Sequence, residues 1–275
     1  MQASIEIRHN TDGQTPLQRY LAPVAAAIAV GVFLAIPMPL SQKAHAFLHG
    51  ICAQRPSHTL AFGDGLLPFD ARMTGIYTGF LAATIVLIAT GRHRHAGLPS
   101  IGAGLVLLAM VGTMAVDGFN SLFTDAGLAT PYAPDNRLRV LTGAAAGIGL
   151  ATILTMLMGM TLWRRPQVRK RVVSRWWEPV GLFVAALPLV ALLATGWSPL
   201  LAPLTLVLVA SAVLAFSGLA MVTALLLTNK ENRFDRAGEV QGYAVIGGML
   251  GIAAIGILAA GRFAFEAWTN APPLT

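Results

Sequence analysis

Seven runs of predominantly apolar residues follow one another along this chain of 275 residues: 21–40, 74–91, 100–116, 140–163, 179–197, 200–228 and 241–261. About 20 such residues are what one helix needs to cross a hydrocarbon layer roughly 30 Å thick. The sequence therefore predicts an all-α fold, a polytopic transmembrane helix bundle of about seven spans. Only 11% of the residues are charged and 55% are hydrophobic, against about 25% charged in soluble domains. A soluble fold of this size could not cover so much apolar surface. The single cysteine, Cys52, excludes an intrachain disulfide and any cysteine cluster.

Charge placement predicts the orientation. With the N-terminus inside, thirteen of the nineteen lysines and arginines fall in cytoplasmic segments and six outside, the bias expected of a multi-pass inner (cytoplasmic) membrane protein. Seven spans then leave the C-terminus extracytoplasmic. The basic stretch 164–178 carries most of this bias and reads as a topology anchor on anionic lipid. The net charge of +7 is thus membrane orientation rather than a nucleic-acid surface. Ala44-His45-Ala46 follows an apolar run as a signal-peptidase site would, but the run is long for a signal peptide. The predicted organisation is a cytoplasmic segment 1–20, a four-span core 21–163 with outer loops 41–73 and 117–138, the basic loop 164–178, and a three-span module 179–275. Gly75/Gly79, Gly143/Gly147 and Gly247/Gly251 have the spacing that lets helices approach closely. Trp163, Trp176, Trp177, Trp197 and Trp268 read as an aromatic belt.

The two outer loops concentrate the polar chemistry. Arg72 precedes a span, Asp117 closes one and Arg139 opens another, and charges at that depth need a partner or a wet cavity. Arg55, Arg72 and Arg139, with Asn136 as a donor, form a candidate set for an oxyanion, because guanidinium forks match its geometry. Asp117 would orient an arginine or act as a catalytic base. A structural ion pair joining spans two to four accounts for the same residues equally well. His45, His49 and Cys52 share one face if 43–53 is helical. With Met73 or Asp70 they would suit copper or zinc. The sequence holds no phosphate-binding loop, nucleophile elbow, metalloprotease motif or dinucleotide fingerprint.

Two stretches, Leu48-His49-Gly50-Ile51-Cys52-Ala53-Gln54-Arg55-Pro56-Ser57 and Leu67-Pro68-Phe69-Asp70-Ala71-Arg72-Met73-Thr74-Gly75-Ile76-Tyr77-Thr78-Gly79, are followed by Asp117-Gly118 and Asn136-Arg137-Leu138-Arg139-Val140-Leu141-Thr142-Gly143. In order and spacing over about 45–150, they resemble an uncharacterised family of bacterial and archaeal membrane proteins, the domain-of-unknown-function family numbered two thousand and eighty-five. Where that family's pattern has a later cysteine pair, this chain has Asp70 and Met73, and Ala53 replaces a histidine. The resemblance implies that Cys52, Arg55, Arg72, Asp117, Asn136 and Arg139 are the retained set. It supplies no activity.

Three readings stay open at the sequence level. The first is an outer-face site for an anionic group such as a lipid phosphate, serving an enzyme on lipid-linked substrates or a carrier. The second is a copper or zinc site on His45, His49, Cys52 and Met73. The third is a structural subunit whose loops dock partner subunits of a membrane complex.

Overall fold

The computed structural model describes residues 16–269, with side chains from Tyr20 onward. Helix α1 (Pro16–Ala35) breaks at Pro37-Met38-Pro39 and turns into the short helix α2 (Leu40–Leu48). The bend between them is 115°, because two prolines within three residues cannot continue a helical ladder. The Lys43 ammonium folds back and caps α1, donating to the carbonyls of Leu34 at 2.9 Å and Ile36 at 3.3 Å. A hairpin follows, β1 (Thr59–Phe62) antiparallel to β2 (Gly65–Asp70), turning at Gly63-Asp64 with Gly63 at φ 61°. Then come α3 (Ala71–Ala89), β3 (His95–Gly97), α4 (Ile101–Asp125), α5 (Asn136–Leu162), β4 (Gln167–Arg171), α6 (Trp177–Ala194), α7 (Leu201–Leu227) and α8 (Gln241–Thr269). β3 and β4 pair in parallel and tie the loop after α3 to the basic stretch after α5.

Six of these helices are long and apolar enough to cross a membrane, and up to seven do so if the bent α1–α2 pair is one span. The polytopic helical class and the span number expected from the sequence are therefore found. Two boundaries differ. The third span does not stop at 116 but continues as helix to Asp125, so the second loop is 126–135 rather than 117–138. Asp117 does not end α4, because its charge is met inside the bundle, while Phe119, Leu122 and Phe123 remain exposed. Segment 41–73 is likewise an ordered assembly of α2, the hairpin and the start of α3 rather than an open loop.

Helix α5 is the axis of the bundle. Of its most apolar window 72% is buried, against 17% for α4. In lipid there is no hydrophobic driving force between helices, so close packing must hold them together. Glycines provide it. A methyl on Gly75 would overlap the carbonyl of Val140, and one on Gly79 the carbonyl of Ala144. Reciprocally, one on Gly143 would strike the Arg72 carbonyl and one on Gly147 the Ile76 carbonyl. The two small-residue pairs expected from spacing thus interlock along a single α3–α5 seam. Gly247 and Gly251 do the same for α8 against Ser217 and Met221 of α7. Ser211 of α7 donates to the Tyr77 carbonyl of α3 at 2.7 Å. Trp176, Trp177, Trp197 and Trp268 are exposed, as a belt requires. Trp163 is not: its indole donates to the His93 carbonyl and Arg94 lies over its ring.

Replacing Gly147 by valine forces a side chain into backbone that cannot rotate away. Overpacking costs typically about 1–3 kcal/mol. We expect Gly147→Val to lower the melting temperature in detergent, while Gly112→Ala, with open space around it, leaves it unchanged. Equal melting of all three proteins would refute the seam.

Candidate functional site

The N-termini of α3 and α5, the C-terminus of α4 and the hairpin meet at one end of the bundle. The local sequence fixes each start. Asp70 caps α3 by accepting from the Met73 amide at 2.8 Å, and Asp135 caps α5 through the Arg137 amide. These caps place Arg72 and Arg139 in the first turns of adjacent helices. Both reach the same hydroxyl on α4. Arg72 Nη2 donates to Ser121 Oγ at 3.1 Å, and Arg139 Nε and Nη2 each lie 3.4 Å from it.

Asp117, one turn earlier on α4, is 1% exposed. Its Oδ2 accepts from Arg72 Nη2 at 2.7 Å and its Oδ1 from the Tyr132 hydroxyl at 3.2 Å. Lost solvation and then the Asp117 charge push the Tyr132 phenol above its usual range, so it stays a donor. Asn120 donates to the Tyr132 carbonyl at 2.9 Å and holds the 126–135 loop over the site. The outer rim is Arg55, whose Nη1 meets Asp125 Oδ2 at 2.7 Å. His58 stands between Asp125 at 3.8 Å and Arg139 Nη2 at 3.4 Å. Asn136 receives Arg139 Nη1 on its Oδ1 at 2.6 Å and gives an amide hydrogen to the Ser57 carbonyl.

The polar groups are unevenly matched. Arg139 is 6% exposed, yet no carboxylate lies within ion-pair distance of it among the described residues. Its partners are an amide oxygen, a hydroxyl and an imidazole. Arg72 Nε and Asn120 Oδ1 are buried without a hydrogen-bond partner. Three arginines therefore face two aspartates, with one guanidinium donor, Arg72 Nε, and one amide acceptor, Asn120 Oδ1, left over.

The oxyanion candidates Arg55, Arg72, Asn136, Arg139 and Asp117 are thus brought together. Ser121, Tyr132, His58 and Asp125 complete the cluster. The first two carried no signal in an apolar-run reading, since serine and tyrosine at a span end are ordinary. His58 and Asp125 were visible as polar loop residues but had no spacing relation to the arginines.

Of the metal-ligand candidates, His49 and Cys52 engage other groups. Helix α2 ends at Leu48 with His49 as its cap, so Cys52 leaves the helical face that carries His45 and His49. Among the described residues no group of three histidines, cysteines or acids is placed to hold a metal ion. His49 instead bonds Glu266 of α8 at 2.8 Å, stacks on Phe263, and meets Gln54 at 3.1 Å. Arg262 bonds Glu266 and donates to the carbonyls of His49 and Cys52. Gln54 adopts φ 55° and is held there by its amide bonds to the His45 and Pro68 carbonyls, both 2.9 Å. Cys52 faces Asp70 Oδ2 at 3.4 Å. Burial, then the Asp70 charge, push the Cys52 thiol up to about 12. Met73 belongs to α3, and its amide, not its sulfur, engages Asp70. Arg262 and Glu266 were the missed members. Their i, i+4 spacing beyond residue 261 was the available sign that the last helix continues.

The fold and site define a multi-pass helical membrane protein with a charged cluster at one end of its central helices. A model of the family described as predicted membrane protein (DUF2085) matches residues 52–153. An uncharacterized protein of Methanothermobacter thermautotrophicus is 32% identical over 119 residues, covering 41% of this chain and 91% of that protein. The chain belongs to that family. No solved structure matches it. The matched segment runs from Cys52 into α5 and contains every residue of the arginine cluster, whereas α6, α7 and α8 lie outside it.

Two outcomes follow from these environments. Burial, then the Arg139 charge, lower the His58 pKa despite Asp125. A folded-state pKa below the unfolded value means the unfolded chain binds more protons, so this stability is present above pH about 6.5 and is lost as pH falls through the folded value. The melting temperature of His58→Gln should therefore drop less between pH 7.5 and 5 than that of wild type. Equal drops would contradict the environment assigned to His58. Cys52, protonated and 6% exposed, should resist maleimide at pH 7.5 until the protein is denatured. Rapid labelling of the native protein would show the thiol to be accessible.

Proposed function

We propose that the arginine cluster binds the oxyanion of a phosphate group, such as that of a lipid headgroup, on the extracytoplasmic face. The observation that carries this is Arg139, a buried guanidinium without a carboxylate partner. Leaving such a charge uncompensated costs several kcal/mol. An anion lying between Arg72 and Arg139 would remove that penalty and occupy the weakly held donors Arg72 Nε and Arg139 Nη2. In this reading Asp117 is the counter-ion that aims Arg72, since both its oxygens already accept hydrogen bonds. Arg55 and Asp125 form the rim, and Asn136 positions Arg139.

The orientation rests on the opposite end of the bundle. There β4 exposes Arg169, Lys170 and Arg171, near Arg164, Arg165 and Arg175. A positively charged end of that kind is the cytoplasmic one by the positive-inside rule. Helix α1 starts at that end, where the Ala22 amide bonds Gln241 at the start of α8.

The test is ligand-linked stability. A ligand at a hundredfold its Kd stabilises the folded state by about 2.7 kcal/mol. Anionic phospholipid added to delipidated protein should raise the wild-type melting temperature by several degrees, and Arg139→Gln should abolish the increase. Arg139→Lys and Arg72→Lys should lose most of it too, because a lysine cannot form the fork. An Arg139→Gln protein that responds like wild type would refute the site. Lysine variants that respond like wild type would refute the paired-guanidinium geometry.

A further inference from the structure

The charge balance and surroundings of this cluster narrow the ligand class. We propose that the site, on the phosphate-binding reading above, selects a singly charged phosphodiester lipid headgroup that enters sideways past α4. Three observations converge on it.

The first is charge. Arg55, Arg72 and Arg139 face Asp117 and Asp125, which leaves one positive charge among the groups that bond to one another. Asp70 is also within electrostatic range, but its oxygens are turned to the Cys52 thiol and the Met73 amide. Attraction to this site grows in proportion to the ligand's charge, whereas the cost of taking that charge out of water grows as its square. A buried site with one excess positive charge therefore favours a monoanion over a dianion. Asp117, fixed within one helical turn of Ser121, adds repulsion against a second negative charge.

The second is donor count. The weakly held donors are Arg72 Nε, with no partner, and Arg139 Nη2, with two contacts of 3.4 Å. A phosphodiester presents two non-bridging oxygens, one for each guanidinium. A phosphomonoester presents a third that finds the Asp117 side of the site.

The third is the flank. On the helix that carries Asp117, Asn120 and Ser121 inward, Val116, Phe119, Leu122 and Phe123 point outward and are 63%, 61%, 57% and 42% exposed. From Ile101 to Asp117, sixteen residues rise about 24 Å, and from Ile101 to Ser121 about 30 Å. The cluster thus sits near the edge of a hydrocarbon layer roughly 30 Å thick. At that depth the apolar flank is lipid-facing. A headgroup can reach the arginines while its acyl chains stay on Phe119 and Phe123, which a free phosphate cannot exploit.

The experiment is competition on full-length protein in detergent at pH 8, read by native mass spectrometry. The probes are phosphatidylglycerol and phosphatidic acid of identical chains, with glycerophosphoglycerol as the chain-free diester. Wild type should retain phosphatidylglycerol at least threefold over phosphatidic acid. Asp117→Asn, which adds one net positive charge, should move that ratio toward phosphatidic acid. The wild-type comparison stands by itself if Asp117→Asn fails to fold. Preference for phosphatidic acid by wild type would overturn the monoanion selection while leaving phosphate binding intact. Equal binding of glycerophosphoglycerol and phosphatidylglycerol would overturn lipid-side entry. Retention of none of the three would overturn the underlying phosphate-binding reading as well.

Discussion

The close approach of α3 to α5 is the constraint on which the other features depend. Four glycines remove the side chains that would otherwise separate the two backbones, and two of them lie beside the charged cluster. Gly143 accommodates the carbonyl of Arg72, and Gly75 accommodates that of Val140, the neighbour of Arg139. The seam therefore does more than hold helices together. It sets two guanidinium groups on neighbouring first turns, near enough to share Ser121. A wider helix pair would let each arginine snorkel separately toward water. The packing and the charge arrangement are one design, and the charges could not have been placed this way at a helix pair separated by large side chains.

Much of this was legible in the sequence, and the limits have physical causes. Apolar runs report spans because lipid admits only internally bonded backbone, and glycine spacing reported the seam because close approach needs absent side chains. Span ends were read poorly where a charge lies inside a helix. Asp117 looks like a terminus until Arg72 and Tyr132 are known to satisfy it. The same error hid the last turns of α8, where Arg262 and Glu266 neutralise each other and His49 completes the set. Ion pairing between distant segments makes charged residues compatible with membrane depth, and a hydropathy reading contains no information about such pairing. The break at Pro37 and Pro39 was visible, but its 115° bend was not, since prolines end a helix without setting the direction in which the chain continues.

The hairpin region shows how a family pattern and a particular chain diverge. Where the resembled pattern carries a cysteine pair, Asp70 and Met73 stand here. Asp70 has taken two tasks, capping α3 and accepting from the Cys52 thiol. With its pKa raised to about 12 by burial and the Asp70 charge, the thiol is a neutral hydrogen-bond donor to that carboxylate. His49 is meanwhile held by Glu266 and Gln54. These contacts favour a scaffold that fixes α2 against α8 and β2. In that setting the left-handed backbone of Gln54 is a joint, stabilised by bonds to two carbonyls.

The two ends of the bundle use charge differently, and the contrast bears on function. At the basic end each of two arginines has its own acid: Arg92 pairs with Glu178 and Arg164 with Asp235. Such one-to-one pairs close off their own fields. At the hairpin end Arg72 and Asp117 form a pair of the same kind, but Arg139 adds a second buried guanidinium without a second acid. A lock for spans two to four would need Arg72 and Asp117 only, and replacing Arg139 by a neutral residue would make that lock cheaper to bury. A guanidinium without a carboxylate of its own is costly to bury. On the proposed phosphate-binding reading a ligand anion would offset that cost at Arg139, whereas the exposed arginines and lysines of the basic end have water for a partner.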